Sequence, residues 1–81
     1  MQEVIIGKEG TQKFPINNSR VSRQHAKITV SDSGQWTLED LNSTNGTYIN
    51  GKRMPTGQVL SLPSGSVIML ANEDTTIQVT F

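Results

Sequence analysis

Apolar and polar residues alternate with a period of two in the clearest stretches of this chain. Ala26, Ile28 and Val30 alternate with Lys27, Thr29 and Ser31, and Ile77, Val79 and Phe81 alternate with Thr76, Gln78 and Thr80. Successive side chains of a strand point to opposite faces, so each run predicts a strand with one buried face. Trp36, Leu38 and Asp40 share one face of a third strand. The unbroken run Val67-Ile68-Met69-Leu70 predicts a strand buried on both faces or lying near the centre of a sandwich. No stretch repeats apolar residues at helical spacing over three turns, so no long helix is expected.

Turn chemistry cuts these runs at short intervals: Ser33-Gly34, Asn45-Gly46, Asn50-Gly51, Pro55-Thr56-Gly57, Pro63-Ser64-Gly65 and Asn72-Glu73-Asp74. Asn50-Gly51 is the clearest, because both residues tolerate positive φ and suit a tight type I′ hairpin between Tyr48-Ile49 and Lys52-Arg53-Met54. About nine short strands follow: Glu3–Gly7, Gln12–Ile16, Gln24–Ser31, Gln35–Asp40, Gly46–Ile49, Lys52–Met54, Gln58–Leu62, Ser66–Ala71 and Thr75–Phe81. Their spacing predicts an all-β fold, an antiparallel β-sandwich of two sheets.

The 81 residues suit one small domain, residues 1–81, with no room for a second. Phe14, Trp36, Tyr48 and Phe81 are expected to help fill a thin core between the sheets. Net charge is zero, with seven basic and seven acidic side chains, so bulk electrostatics predicts neither a nucleic-acid nor a membrane partner. The distribution is uneven. Gly10 to Ser31 holds Lys13, Arg20, Arg23 and Lys27 without an acid, and Leu41 to Asn72 holds Lys52 and Arg53 without one. Several loops are thereby left free to attract an anion.

Cysteine is absent, which excludes a disulfide framework and a thiolate metal site and favours the cytosol. The apolar run Val67 to Ala71 is far too short to span a bilayer, and the N-terminal residues do not read as a secretory signal. A soluble, cytoplasmic segment is expected, one that can belong to a larger or membrane-tethered protein. The glycosylation patterns at Asn17 and Asn42 carry no weight without a secretory signal.

Small polar and basic residues gather at three places: Gly7-Lys8, Ser22-Arg23-Gln24-His25, and Asn42-Ser43-Thr44-Asn45-Gly46. Singly, each is an ordinary turn or capped loop. In this order and spacing they resemble the forkhead-associated (FHA) domain family. There a Gly-Arg closes an early strand, a Ser-Arg-x-His follows after about a dozen residues, and an Asn-Gly loop leads into a hairpin with a second Asn-Gly. This chain has Ile6-Gly7-Lys8, Val21-Ser22-Arg23-Gln24-His25-Ala26, and Asp40 through Gly51, and the likeness continues through Leu62 to Ile68.

The resemblance implies an SMAD/FHA-like sandwich that binds a phosphothreonine-containing protein or peptide through loops at one end, with no catalysis and no cofactor. It implies that Ser22 and Thr44 donate hydroxyl hydrogen bonds to phosphate, that Lys8 and Arg23 add charge, and that Asn45 holds the bound peptide's backbone. His25 would brace the Ser22 loop, and Gly7, Gly46, Asn50 and Gly51 would support the loops conformationally. A phosphothreonine carries about −1.5 to −2 charges and three acceptor oxygens, so its site needs convergent donors and little acid. Two departures stand out. Lys8 replaces the family's arginine, exchanging a planar fork for a point charge, and the chain starts almost at the Ile6-Gly7-Lys8 position, where family members usually begin with two more strands.

Other chemistries fit less well. Ser22, His25 and Asp40 could be cast as an acyl-transfer triad, but no glycine-flanked elbow surrounds the serine. Gly46 to Lys52 has the spacing of a phosphate-cradling loop, yet Arg53 follows the lysine and Pro55 precludes the required helix. Lys52, Arg53, Trp36 and Tyr48 could suggest a nucleic-acid barrel, against which the zero net charge speaks. One histidine and no cysteine leave no metal site worth proposing. The strongest competitor is a phosphate-independent interaction module of the same fold.

Overall fold

The computed structural model describes all residues from Met1 to Phe81 and contains eight strands. They are β1 (Gln2–Ile6), β2 (Ala26–Val30), β3 (Trp36–Asp40), β4 (Thr47–Ile49), β5 (Lys52–Arg53), β6 (Val59–Ser61), β7 (Ser66–Leu70) and β8 (Thr76–Val79). The first sheet has the order β1-β2-β3-β6 and the second β5-β4-β7-β8, with every neighbouring pair antiparallel. No helix is present that is long and apolar enough to cross a membrane.

Alternation sorts the strands as expected where it is clean. Ala26 and Ile28 of β2 and Leu38 and Asp40 of β3 are buried, while the residues between them within each strand are only partly covered. From the other sheet Ile68, Leu70 and Val79 complete the layer, joined by Ile6, Val21, Met54 and Leu62. The hairpin of β4 and β5 turns on Asn50 and Gly51, with φ of 50° and 87°, as a type I′ turn requires.

Three expectations are corrected. Gln12–Ile16 forms no strand. Pro15 has no N–H for a ladder, and the Gln12 side chain binds locally: its amide nitrogen donates to Gly7 O at 2.8 Å and Phe14 O at 3.1 Å. The run Val67–Leu70 is not buried on both faces. Val67 is exposed and Met69 partly so, because β7, although interior in its sheet, is covered on one side only. Finally, of the four aromatics only Trp36, half-buried, packs against the core cluster; Phe14 and Phe81 are exposed, and Phe81 stacks on Trp36 with ring centroids 4.2 Å apart and planes parallel to 1°.

Candidate functional site

At one end of the sandwich the loops after β1, before β2 and after β3 are knitted together by their main chains. Beyond β1, Lys8 N–H donates to Ser22 O at 3.1 Å and Glu9 N–H to Arg23 O at 2.9 Å, while His25 N–H donates to Ile6 O at 2.8 Å. Gly7 lies so close to this loop that a Cβ there would fall 2.2 Å from Arg23 O and 2.7 Å from Ser22 O. The glycine is therefore demanded by close approach. Any side chain would drive apart the two segments that carry Lys8 and Ser22.

Beneath the surface lies a buried polar layer. His25, with no exposed surface, accepts a hydrogen bond at Nδ1 from Ser22 N–H (3.0 Å), which leaves Nε2 to donate to Gly46 O (2.7 Å). One neutral ring thus clamps the Ser22 loop to the loop that precedes β4. Burial pushes its pKa below the ordinary 6.5, opposed by the bond to Gly46 and the charge of Asp40. Asp40, also buried, accepts bonds from Ser43 N–H (3.3 Å), the Ser43 hydroxyl and the Thr47 hydroxyl (2.6 Å). Ser43 Oγ in turn accepts from Gly46 N–H at 3.1 Å. The carboxylate of β3 thereby ties the first sheet to β4 of the second, and no buried side-chain polar atom lacks a partner.

Above this layer opens a cleft of about 390 Å³ lined by Lys8, Ser19, Arg20, Val21, Ser22, Arg23, Thr44 and Asn45. All five residues expected to contact a ligand line it, although they come from three separate segments. Three of the eight are cationic and none is acidic. Ser22 Oγ accepts from Thr44 N–H at 3.3 Å, so its own proton remains available to donate outward. Asn45 Nδ2 donates to Arg20 O at 2.7 Å, which fixes the amide across the cleft floor and leaves its oxygen as an acceptor.

The residues cast as a triad do not form one. Ser22 reaches His25 through its main-chain N–H, and the oxygens of Asp40 face Ser43 and Thr47. Nor does every expected support touch the cleft. Asn50 is bonded to Val67 through both its N–H and its side-chain oxygen, so Asn50 holds the β4–β5 hairpin to β7 at the other end of β4, where Gly51 completes the turn. Gly46, with φ of 92°, does sit at the site.

Several participants were not foreseen. Arg23 is paired through Nε with Glu9 at 3.0 Å, so the one acid at this rim already occupies one of its cations. Nothing in the spacing pairs Glu9 with a residue fourteen positions later. Asn18 spends its side chain internally: Nδ2 donates to Asn72 Oδ1 (2.7 Å) and Thr75 Oγ1 (3.0 Å), while Oδ1 accepts from Arg20 N–H (3.1 Å). It couples the Arg20–Ser22 loop to the turn between β7 and β8. A larger cleft of about 480 Å³ lies beyond it, lined by Phe14 to Ser19 and Asp74 to Ile77, with Ser19 on the wall shared by both. Size does not decide the site. The smaller cleft holds the cations and free hydroxyls, whereas Asp74 is the only charged residue lining the larger one.

A family model described as FHA domain matches residues 4–71. The chain belongs to the FHA domain family. An FHA domain-containing protein of Arabidopsis thaliana is 39% identical over 78 residues, covering 96% of this chain and 19% of that protein. A solved chain from a study of phosphothreonine-dependent FHA domain interactions superposes with a TM-score of 0.80 at 35% identity, covering 98% of this chain and 76% of that one. The N-terminal FHA domain of Saccharomyces cerevisiae Rad53p, in complex with a phosphothreonine peptide, gives 0.76 at 27% identity, covering 93% and 62%. The FHA chain described here spans less than half the length of the curated relatives it first matches.

Proposed function

We propose that this FHA domain is a protein-interaction module that binds a phosphothreonine-containing segment of a partner in the cleft at the end of the sandwich. One observation carries the reading: Lys8, Ser22, Arg23, Thr44 and Asn45, from three segments, line one open cleft that contains no acid. In this reading Ser22 and Thr44 donate to phosphate oxygens, Lys8 and Arg23 neutralise charge, and Asn45 accepts from the peptide main chain. Hydrogen bonds to a charged group contribute about 1.5–3 kcal/mol each, so a few of them separate phosphorylated from unmodified threonine. The chain performs no catalysis, and residues 1–81 form one FHA domain in which β1 leads directly into Gly7. It acts in the cytoplasm as part of a longer host that it tethers to kinase-marked partners.

The test is a polarisation titration with one degenerate peptide library in phosphothreonine, phosphoserine, phosphotyrosine and threonine forms. Only the phosphothreonine form is expected to bind, and Lys8→Arg is expected to tighten it by providing a bidentate fork. Equal binding of the unmodified library would transfer the assignment to a phosphate-independent module. That second reading draws on two features, the lysine at position 8 and the engagement of Arg23 by Glu9.

A further inference from the structure

Gly46 does more than adopt a positive φ. A Cβ at this position would lie 2.7 Å from Arg53 Nε, 3.0 Å from Cζ and 3.1 Å from Nη2. The guanidinium of Arg53, carried on β5, therefore folds over the backbone immediately after Asn45, in space that only a glycine leaves open. Cross-strand pairing sets it there: Arg53 stands opposite Tyr48, two residues along from Gly46 on the adjoining strand. Arg53 is exposed and has no acidic partner, and no acid occurs between Leu41 and Asn72 to provide one.

We propose that Arg53 is a second anion contact of the same ligand, reading a carboxylate or a further phosphate near the phosphothreonine; this rests on the phosphothreonine reading above. Consecutive Cα atoms are about 3.8 Å apart, so the guanidinium over Gly46 lies within about 8 Å of Asn45 Cα. An extended peptide advances about 3.3–3.6 Å per residue, which places the second anion about two or three residues from the position held by Asn45. Lys8 and Arg23 line the phosphate cleft, whereas Arg53 is not among its lining residues and adds charge that one phosphate does not use. A planar guanidinium suits a carboxylate or phosphate because two of its N–H groups can meet two oxygens at once.

The experiment compares three phosphothreonine peptide libraries by polarisation: one with Ala, Asn and Gln at the flanking positions, one enriched in Asp and Glu, and one with a second phosphothreonine. The protein is used unmodified and as Arg53→Gln, Arg53→Lys and Arg20→Gln. Unmodified protein is expected to favour at least one acidic library over the neutral one by about three- to tenfold at low salt, the range of one exposed to half-buried ion pair. Which of the two gains more distinguishes carboxylate from phosphate. Arg53→Gln should erase that preference while changing affinity for the neutral library less than about twofold, and Arg53→Lys should restore part of it. A preference that survives Arg53→Gln, or that disappears with Arg20→Gln instead, overturns the inference and leaves phosphothreonine binding intact. Failure of all three libraries to bind unmodified protein overturns the phosphothreonine reading and this inference with it.

Discussion

The binding loops have two layers that differ in burial and in what their bonds accomplish. In the lower layer His25, Asp40, Ser43 and Thr47 are buried, and each polar atom meets a fixed partner, twice across the gap between the sheets. In the upper layer Lys8, Arg23 and Thr44 are exposed, and the cations are either unpaired or held only by Glu9. A loop-built anion site needs both. Ordered donors come from the lower layer, because a satisfied buried network has one low-energy arrangement, while the upper layer must stay uncommitted so that the ligand supplies its missing partners. The expected consequence is a separation of effects, with stability lost from below and affinity lost from above.

The strongest test of that separation is Asp40→Ala. It strands three donors and removes one tie between the sheets, so the domain should lose about 3–5 kcal/mol in urea denaturation. Whole-domain stability for this length is on the order of 4–12 kcal/mol, so the variant should lose about a quarter of it or more. Retention of full stability would show that the lower layer does not hold the loops.

Gly7→Ala comes next. A methyl 2.2 Å from Arg23 O must push β1 away from the Ser22 loop, at a cost of about 1–3 kcal/mol, with a fall in affinity besides. This substitution breaks the comparison deliberately, since Gly7 belongs to both layers.

Acid should act on the lower layer through His25. Burial lowers its pKa below 6.5, so the unfolded chain takes up the proton first; the stability this group contributes is present above about pH 6.5 and declines as pH falls through the lowered value. Protonation of Nδ1 also removes the acceptor for Ser22 N–H. Denaturation midpoints measured between pH 7.5 and 5.5 should fall, with a slope no steeper than about 1.4 kcal/mol per pH unit for one group, and His25→Gln should flatten the profile.

In the upper layer Ser22→Ala should weaken phosphothreonine binding about tenfold, the equivalent of one charge-assisted hydrogen bond, while stability changes by less than about 1 kcal/mol. The smallest effect is expected from Glu9→Gln. Releasing Arg23 from its exposed pair should raise affinity about twofold and steepen its decline with salt. An unchanged affinity would place Arg23 outside the ligand contact.

Much of this organisation was already written in the chain. Alternation at Ala26–Val30 and Trp36–Asp40 and the turn residues Asn50-Gly51 specify a strand-and-turn plan from local stereochemistry, and the spacing of Gly7, Ser22, His25, Asn45 and Gly46 marks the family. Asp40 in phase with Leu38 was a visible anomaly, a carboxylate on an inward face, but its partners Ser43 and Thr47 emerge only when the loop after β3 closes over it. Pairings across long separations are invisible to local pattern: Arg23 with Glu9 and Asn18 with Asn72. The loss of a strand at Gln12–Ile16 was legible in Pro15, which lacks a ladder N–H, whereas the Gln12 side chain that took the ladder's place was not. Short-range rules act through φ, ψ and the period of two, and they decide which residues can form strands and turns. Which charge meets which, and which donor remains free for a ligand, depends on distances set only after the two sheets have packed.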